Sequence, residues 1–202
     1  MRIQSLTLLE RVARQISRAP TSEPDAASLL RRVASAYSAQ PVIDDSDGLT
    51  GFDPGAAALF EAVVEAAFLV ANADGHFDAV ERAAFQAVVA TACGEAVKAP
   101  RIEALTADFG EQLAEDGTEK RARMIGRTIT EREQQLEVMR IAALMAHASG
   151  GVSDEEREAL GLLAAGFGLE PACVDQTLDQ AAAAIEAGET ASSTRQGPPS
   201  PR

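Results

Sequence analysis

The chain has 202 residues, 46% of them hydrophobic and 24% charged, with a formal charge of -13 at neutral pH. That is enough apolar side chain to bury a full core without a disulfide or structural metal. A net charge of that sign repels phosphate backbones, and with no tryptophan and a single tyrosine to stack bases the composition argues against nucleic-acid binding.

Ile3, Leu6, Leu9, Val12 and Ile16 form a helical stripe opposite Arg11, Arg14 and Arg18, which predicts an amphipathic helix from Ile3 to about Ser17 ended by Pro20. Such a stripe either docks on its own domain or makes a peripheral contact with an anionic membrane surface. A second helix is expected from near Pro24, capped by Ser22, through Leu29, Leu30, Val33 and Tyr37, so residues 1–40 read as N-terminal amphipathic helices. Residues 41–55 crowd Asp44, Asp45, Asp47 and Asp53 among glycines and prolines and read as an acidic linker without regular structure.

From Ala56 to Ala73 the residues are apolar almost all round, the pattern of a central helix. Ala79–Thr91 reads as an amphipathic helix with Val80, Ala84, Phe85, Val88 and Val89 inward, Ile102–Leu113 as a third helix, and residues 114–120 as a turn. A short helix through Ala122, Met124 and Ile125 leads to Thr130 and Glu133, spaced as a capping box opening a second central helix lined by Leu136, Val138, Met139, Ile141, Leu144 and Met145. Helices over Asp154–Ala165 and Pro171 to about Ala187 follow, and the polar, proline-bearing residues 188–202 read as a disordered tail.

No stretch alternates as a strand does, so the expected fold is all-α, and a repeat spaced by 75 residues makes it a pseudo-twofold bundle of two three-helix halves over residues 56–187. Glu65 aligns opposite Arg140, which predicts a bridge between the two central helices. Cys93 and Cys173 belong to no C-x-x-C unit and read as reduced, buried side chains. Charges interrupt the N-terminus too often for a signal peptide, and the expected location is the cytoplasm.

The repeat is sharpest at two helix corners, ADGHFDAVE at 73–81 and ASGGVSDEE at 148–156. Gly75 and Gly150 suit the left-handed turn that closes a helix, Asp78 and Ser153 are good caps, and Glu81 and Glu156 sit three residues further on to complete capping boxes. A metal reading competes at the first corner, where Asn72, Asp74, Gly75, Phe77, Asp78 and Glu81 occupy positions 3, 5, 6, 8, 9 and 12 of an EF-hand register. Position 1 is Val70, which leaves the cage incomplete, and the second corner offers Met145, His147 and Ser149 in place of ligands. His76 and His147 lie at or beside the corners and offer a different centre, one zinc-like site with Asp74 if the corners meet. No Ser-His-Asp set and no phosphate-binding glycine loop is legible, so catalysis has no candidate residues.

At these corners the chain resembles the tellurite-resistance TerB family and the TerB-like domains of some J-domain cochaperones. The shared signature is a mostly apolar helix, then Ala-Asp-Gly, an apolar residue, Asp or Ser and a following Glu, then an amphipathic helix; it spans roughly residues 56–187. The resemblance implies a non-enzymatic helical domain with an acidic face. Such a domain docks a protein partner in stress-response, tellurite-resistance-type or membrane-associated complexes. It also implies an optional calcium-like divalent cation at Asp74, Asp78 and Glu81, with no cofactor required. Ser149 and Ser153 depart from the acidic pattern and weigh against a symmetric pair of metal sites. The alternative is a transition-metal-dependent sensor or enzyme using His76 and His147.

Overall fold

A helix that is apolar nearly all round, as residues 56–73 are, must be enclosed by others, and in the computed structural model it is. The structure describes residues 3–21, 26–38, 42–44, 48–50 and 53–194. Among these the helices are Ile3–Ile16 (α1), Leu29–Tyr37 (α2), Pro54–Ala71 (α3), Ala79–Ala92 (α4), Ala99–Asp116 (α5), Thr118–Thr128 (α6), Arg132–Ala146 (α7), Asp154–Gly166 (α8) and Ala172–Thr194 (α9). The architecture is an all-α bundle built on the contact between α3 and α7. Phe60, Phe68 and Leu69 of α3 and Met139, Ile141 and Leu144 of α7 are among the most deeply buried side chains. Each contributes about 1.5–3 kcal/mol by leaving water. The α3 segment is long and apolar enough to cross a bilayer, with mean hydropathy 1.6, yet most of it is enclosed by neighbouring helices.

The N-terminal helices share this core. Val12, Ala13 and Ile16 of α1 are buried against the rest of the protein, as are Leu29, Leu30, Val33 and Ala34 of α2. Val12 and Ile16 of the α1 stripe are spent internally, and α1 packs on α4, α7 and α9.

Several local expectations need correction, and in each a tertiary contact is the reason. The second helix starts at Leu29, with Ser28 as its cap, not near Pro24; the expected cap Ser22 lies outside the described residues. Glu137 of α7 fixes the start: its Oε1 accepts the Leu29 N–H at 2.5 Å. Within the 41–55 linker, Val42–Asp44 (β1) pairs antiparallel with Gly48–Thr50 (β2), and Asp53 caps α3 through the N–H groups of Gly55 and Ala56. Asp45 and Asp47 lie outside the described residues. The turn expected at 114–120 contracts to Gly117, whose φ of +74° lets α5 run straight into α6. At Thr130 no capping box forms; α7 begins at Arg132, after Glu131, without a side-chain cap.

Glu65 does not meet Arg140. Arg121 Nε donates to Glu65 Oε1 at 2.6 Å and Arg121 Nη1 to Asp116 Oδ2 at 3.2 Å, all three side chains being largely covered. Arg140 instead donates to the carbonyls of Gln15 at 3.0 Å and Arg18 at 3.1 Å, satisfying the C-terminal end of α1. Val80 and Leu136, expected inward, are exposed. Val80 lies about 140° round the helix from Phe85 at roughly 100° per residue, off the buried stripe. Finally α9 continues through Thr194, beyond the tail boundary expected at 188, and α1 braces it: Gln15 Nε2 donates to the Ala184 carbonyl at 2.9 Å. Residues 195–202 of the expected tail lie outside the described residues.

Candidate functional site

A chain that leaves one helix and enters another within a few residues must satisfy unpaired carbonyls behind it and unpaired N–H groups ahead. At the first corner Asn72 N–H donates to Phe68 O at 2.9 Å and Gly75 N–H to Asn72 O at 3.1 Å, with Gly75 at φ +73°. Asp74 Oδ1 then accepts the His76 N–H at 2.8 Å. Asp78 Oδ1 accepts from Val80 at 2.7 Å and Glu81 at 2.8 Å, and Glu81 Oε2 accepts from Asp78 at 3.1 Å, completing the capping box. Phe77, between cap and glycine, packs edge-on against Phe68 and Phe85 at 5.3 and 5.9 Å and ties the corner to the core.

At the second corner α7 runs into a 3₁₀ turn, His147–Ser149, and Gly150 takes φ +100°. Ser153 Oγ accepts the Glu156 N–H at 3.1 Å, and Glu156 Oε2 accepts the Ser153 N–H at 2.8 Å. Both corner boxes read from the sequence are therefore present.

The two corners converge. One cleft of about 90 Å³ is lined by Phe77 and Glu81 from the first, by Ser149 and Glu156 from the second, and by Leu9 of α1 and Met145 of α7. Glu156 is half-buried there, and its carboxyl is raised above the ordinary range. Burial is the largest cause; the Ser153 hydrogen bonds oppose it, and the nearby carboxylates of Asp74 and Glu155 add to it. Asp74, Asp78 and Glu81 are exposed. Among the described residues no lysine or arginine pairs with Asp74, Asp78, Glu81 or Glu156. Of the two adjacent cations in sequence, Arg82 is turned onto the Phe77 carbonyl and ring, and Arg157 pairs with Asp175.

As metal ligands these residues form no ready cage. Among the described residues no group of three or more His, Cys, Asp or Glu side chains is placed to hold an ion. One oxygen each of Asp74, Asp78 and Glu81 is committed to backbone N–H groups, leaving far fewer than the six to eight oxygens calcium takes. The histidines are engaged with different carbonyls, His76 Nδ1 with Asp74 O at 3.0 Å and His147 Nε2 with Leu178 O on α9 at 3.3 Å. Burial pushes the Cys93 thiol up to about 12, which makes it a poor nucleophile.

The family model described as tellurite resistance protein TerB matches residues 60–179, more than half of the chain. The chain belongs to the TerB family. No curated protein and no solved structure matches it significantly. Both corners fall inside the TerB match, whereas Leu9, which walls the cleft, and the whole of α1 and α2 fall outside it. Leu9, Met145, Ser149 and Glu156 were not singled out as site residues from the sequence. The signal that points to Glu156 and Ser149 is the repeat itself, which aligns them with Glu81 and Asp74.

Proposed function

We propose that this TerB-family chain is a non-catalytic interaction module that binds a protein partner through its acidic corner face, in cytoplasmic stress-response or tellurite-resistance-type assemblies. One observation carries the reading: carboxylates from corners 75 residues apart gather round one cleft, and no described basic side chain neutralises them. A face that keeps its negative charge unpaired attracts and orients a basic partner. In this reading a calcium-like cation at Asp74, Asp78 and Glu81 is an accessory whose coordination shell is completed mostly by water. The partner contact uses this face and not the α1 stripe, because Val12, Ala13 and Ile16 are already buried.

The test is capture from host extract with the wild-type chain and with Asp74→Asn/Glu81→Gln/Glu156→Gln. A partner held by the first and lost by the second supports the reading, and one held equally by both overturns it. Calcium titration followed by amide NMR examines the accessory cation, with shifts expected only over residues 72–81. Zinc-dependent shifts at both His76 and His147 would favour a transition-metal sensor or enzyme instead.

A further inference from the structure

We infer that the cleft between the corners accepts one aliphatic side chain of a partner segment, and that lysine or arginine residues flanking this anchor pair with Glu81 and Glu156. The inference rests on the interaction-module reading and names the chemistry of the partner.

Size and lining define the anchor. A cavity of about 90 Å³ exceeds the roughly 30 Å³ share of one water and falls short of the roughly 150 Å³ void that holds a benzene ring. Most of its lining is apolar, chiefly Leu9, Ala71, Phe77, Phe85, Val88 and Met145, with Ser149, Glu81 and Glu156 as the polar members. Such a space gives water few hydrogen-bond partners and suits a side chain of leucine or methionine size.

Charge defines the flanks. Glu81 and Glu156 are held in place because Oε2 of each accepts the N–H of its own cap residue. No described protein group donates to Oε1 of either, so each carboxylate lining the cleft is held by one oxygen and keeps the other as a spare acceptor for a cation. Preorganised acceptors spare a ligand part of the ordering cost of binding. Asp74 brings further negative charge toward Glu156. The walls are fixed as well. α1, which supplies Leu9, is held by its buried Val12 and Ile16 and by Arg140 on its terminal carbonyls.

The experiment uses the full chain, amide and methyl NMR, and the capped peptide Ac-AKALAKA-NH2 titrated to millimolar concentration. Expected are shifts centred on Leu9, Phe77, Met145 and Ala148, with at least about tenfold weaker binding when the leucine is alanine or the lysines are glutamine. The variant Glu81→Gln/Glu156→Gln keeps both capping boxes, since glutamine serves at that position as glutamate does. It should fold as wild type and lose the peptide. If the alanine peptide binds as well as the leucine peptide, or the shifts lie elsewhere, the cleft inference falls while the acidic-face reading stands. If the peptide gives no shifts and the native partner is still captured, the cleft inference again falls alone. If neither peptide nor partner depends on these carboxylates, both fall.

Discussion

The corner at 74–81 and the corner at 149–156 perform the same backbone task with different side chains. Each has a glycine at positive φ, a cap whose oxygen accepts from the next helix, and a glutamate that returns the bond. What differs is charge and cover. Asp78 accepts two N–H bonds and Ser153 one, Asp74 stands where Ser149 stands, and Glu81 is exposed where Glu156 is half-buried. The shared chemistry is what a helix corner needs, and the unshared chemistry is what a ligand would notice.

The largest effect should break the symmetry of support beneath the corners. α8, which begins at the second corner, crosses α6 so closely that a Cβ on Gly126 would lie 2.1 Å from the Gly166 carbonyl oxygen. In the first half Thr91 stands 75 residues before Gly166, and the residue 75 before Gly126, Gly51, lies outside the described residues. Gly126→Ala should cost about 3 kcal/mol in urea unfolding, with amide shifts spreading over residues 153–166 before residues 74–92. Next, Gly75→Ala and Gly150→Ala should each cost about 1–2 kcal/mol. Nothing lies within 4 Å of either added Cβ, so the penalty is that of the backbone alone and should be the larger at Gly150, whose φ of +100° lies further from the centre of the left-handed region than the +73° of Gly75. Removing the caps should cost less: about 1 kcal/mol each for Asp78→Ala and Ser153→Ala, while Asp78→Ser should be nearly neutral if capping is its whole structural task.

The smallest effect separates the corners by pH. The Glu156 carboxyl is raised, so the native state takes up its proton more readily than the unfolded state does. Its linkage contribution is absent above the raised native titration and grows as pH falls through it towards the ordinary glutamate value. Glu156→Gln should remove that slope from melting temperature against pH and raise the neutral-pH melting temperature slightly, because a neutral side chain escapes the burial cost of the ionised carboxylate.

The extent to which the site was legible in advance follows from how local each signal is. Both capping boxes were readable because the bonds join residues three apart, and the apolar character of α3 and α7 was readable because it recurs within each helix. The Thr130 box failed although its spacing is right: α7 starts one residue later than the motif implies, at Arg132, and Gln135 Nε2 donates to the Ile129 carbonyl at 2.9 Å. The Glu65–Arg140 bridge failed for a related reason. Repeat alignment says which residues are equivalent, but not which guanidinium arrives first, and Arg140 was taken by the end of α1. Glu156 escaped notice as a site residue because its own sequence neighbourhood explains it fully as a cap.

Helix count, the all-α class, the two corners and their glycines were determined by the sequence by itself, because periodicity, capping and left-handed turns act over a few residues. Only the tertiary structure decided that α1 would wall a cleft with Leu9, that Arg121 would take Glu65, and that Glu81 and Glu156 would flank one cavity. Those outcomes depend on which helices touch, and competition among distant side chains for a few buried partners leaves no trace in local spacing.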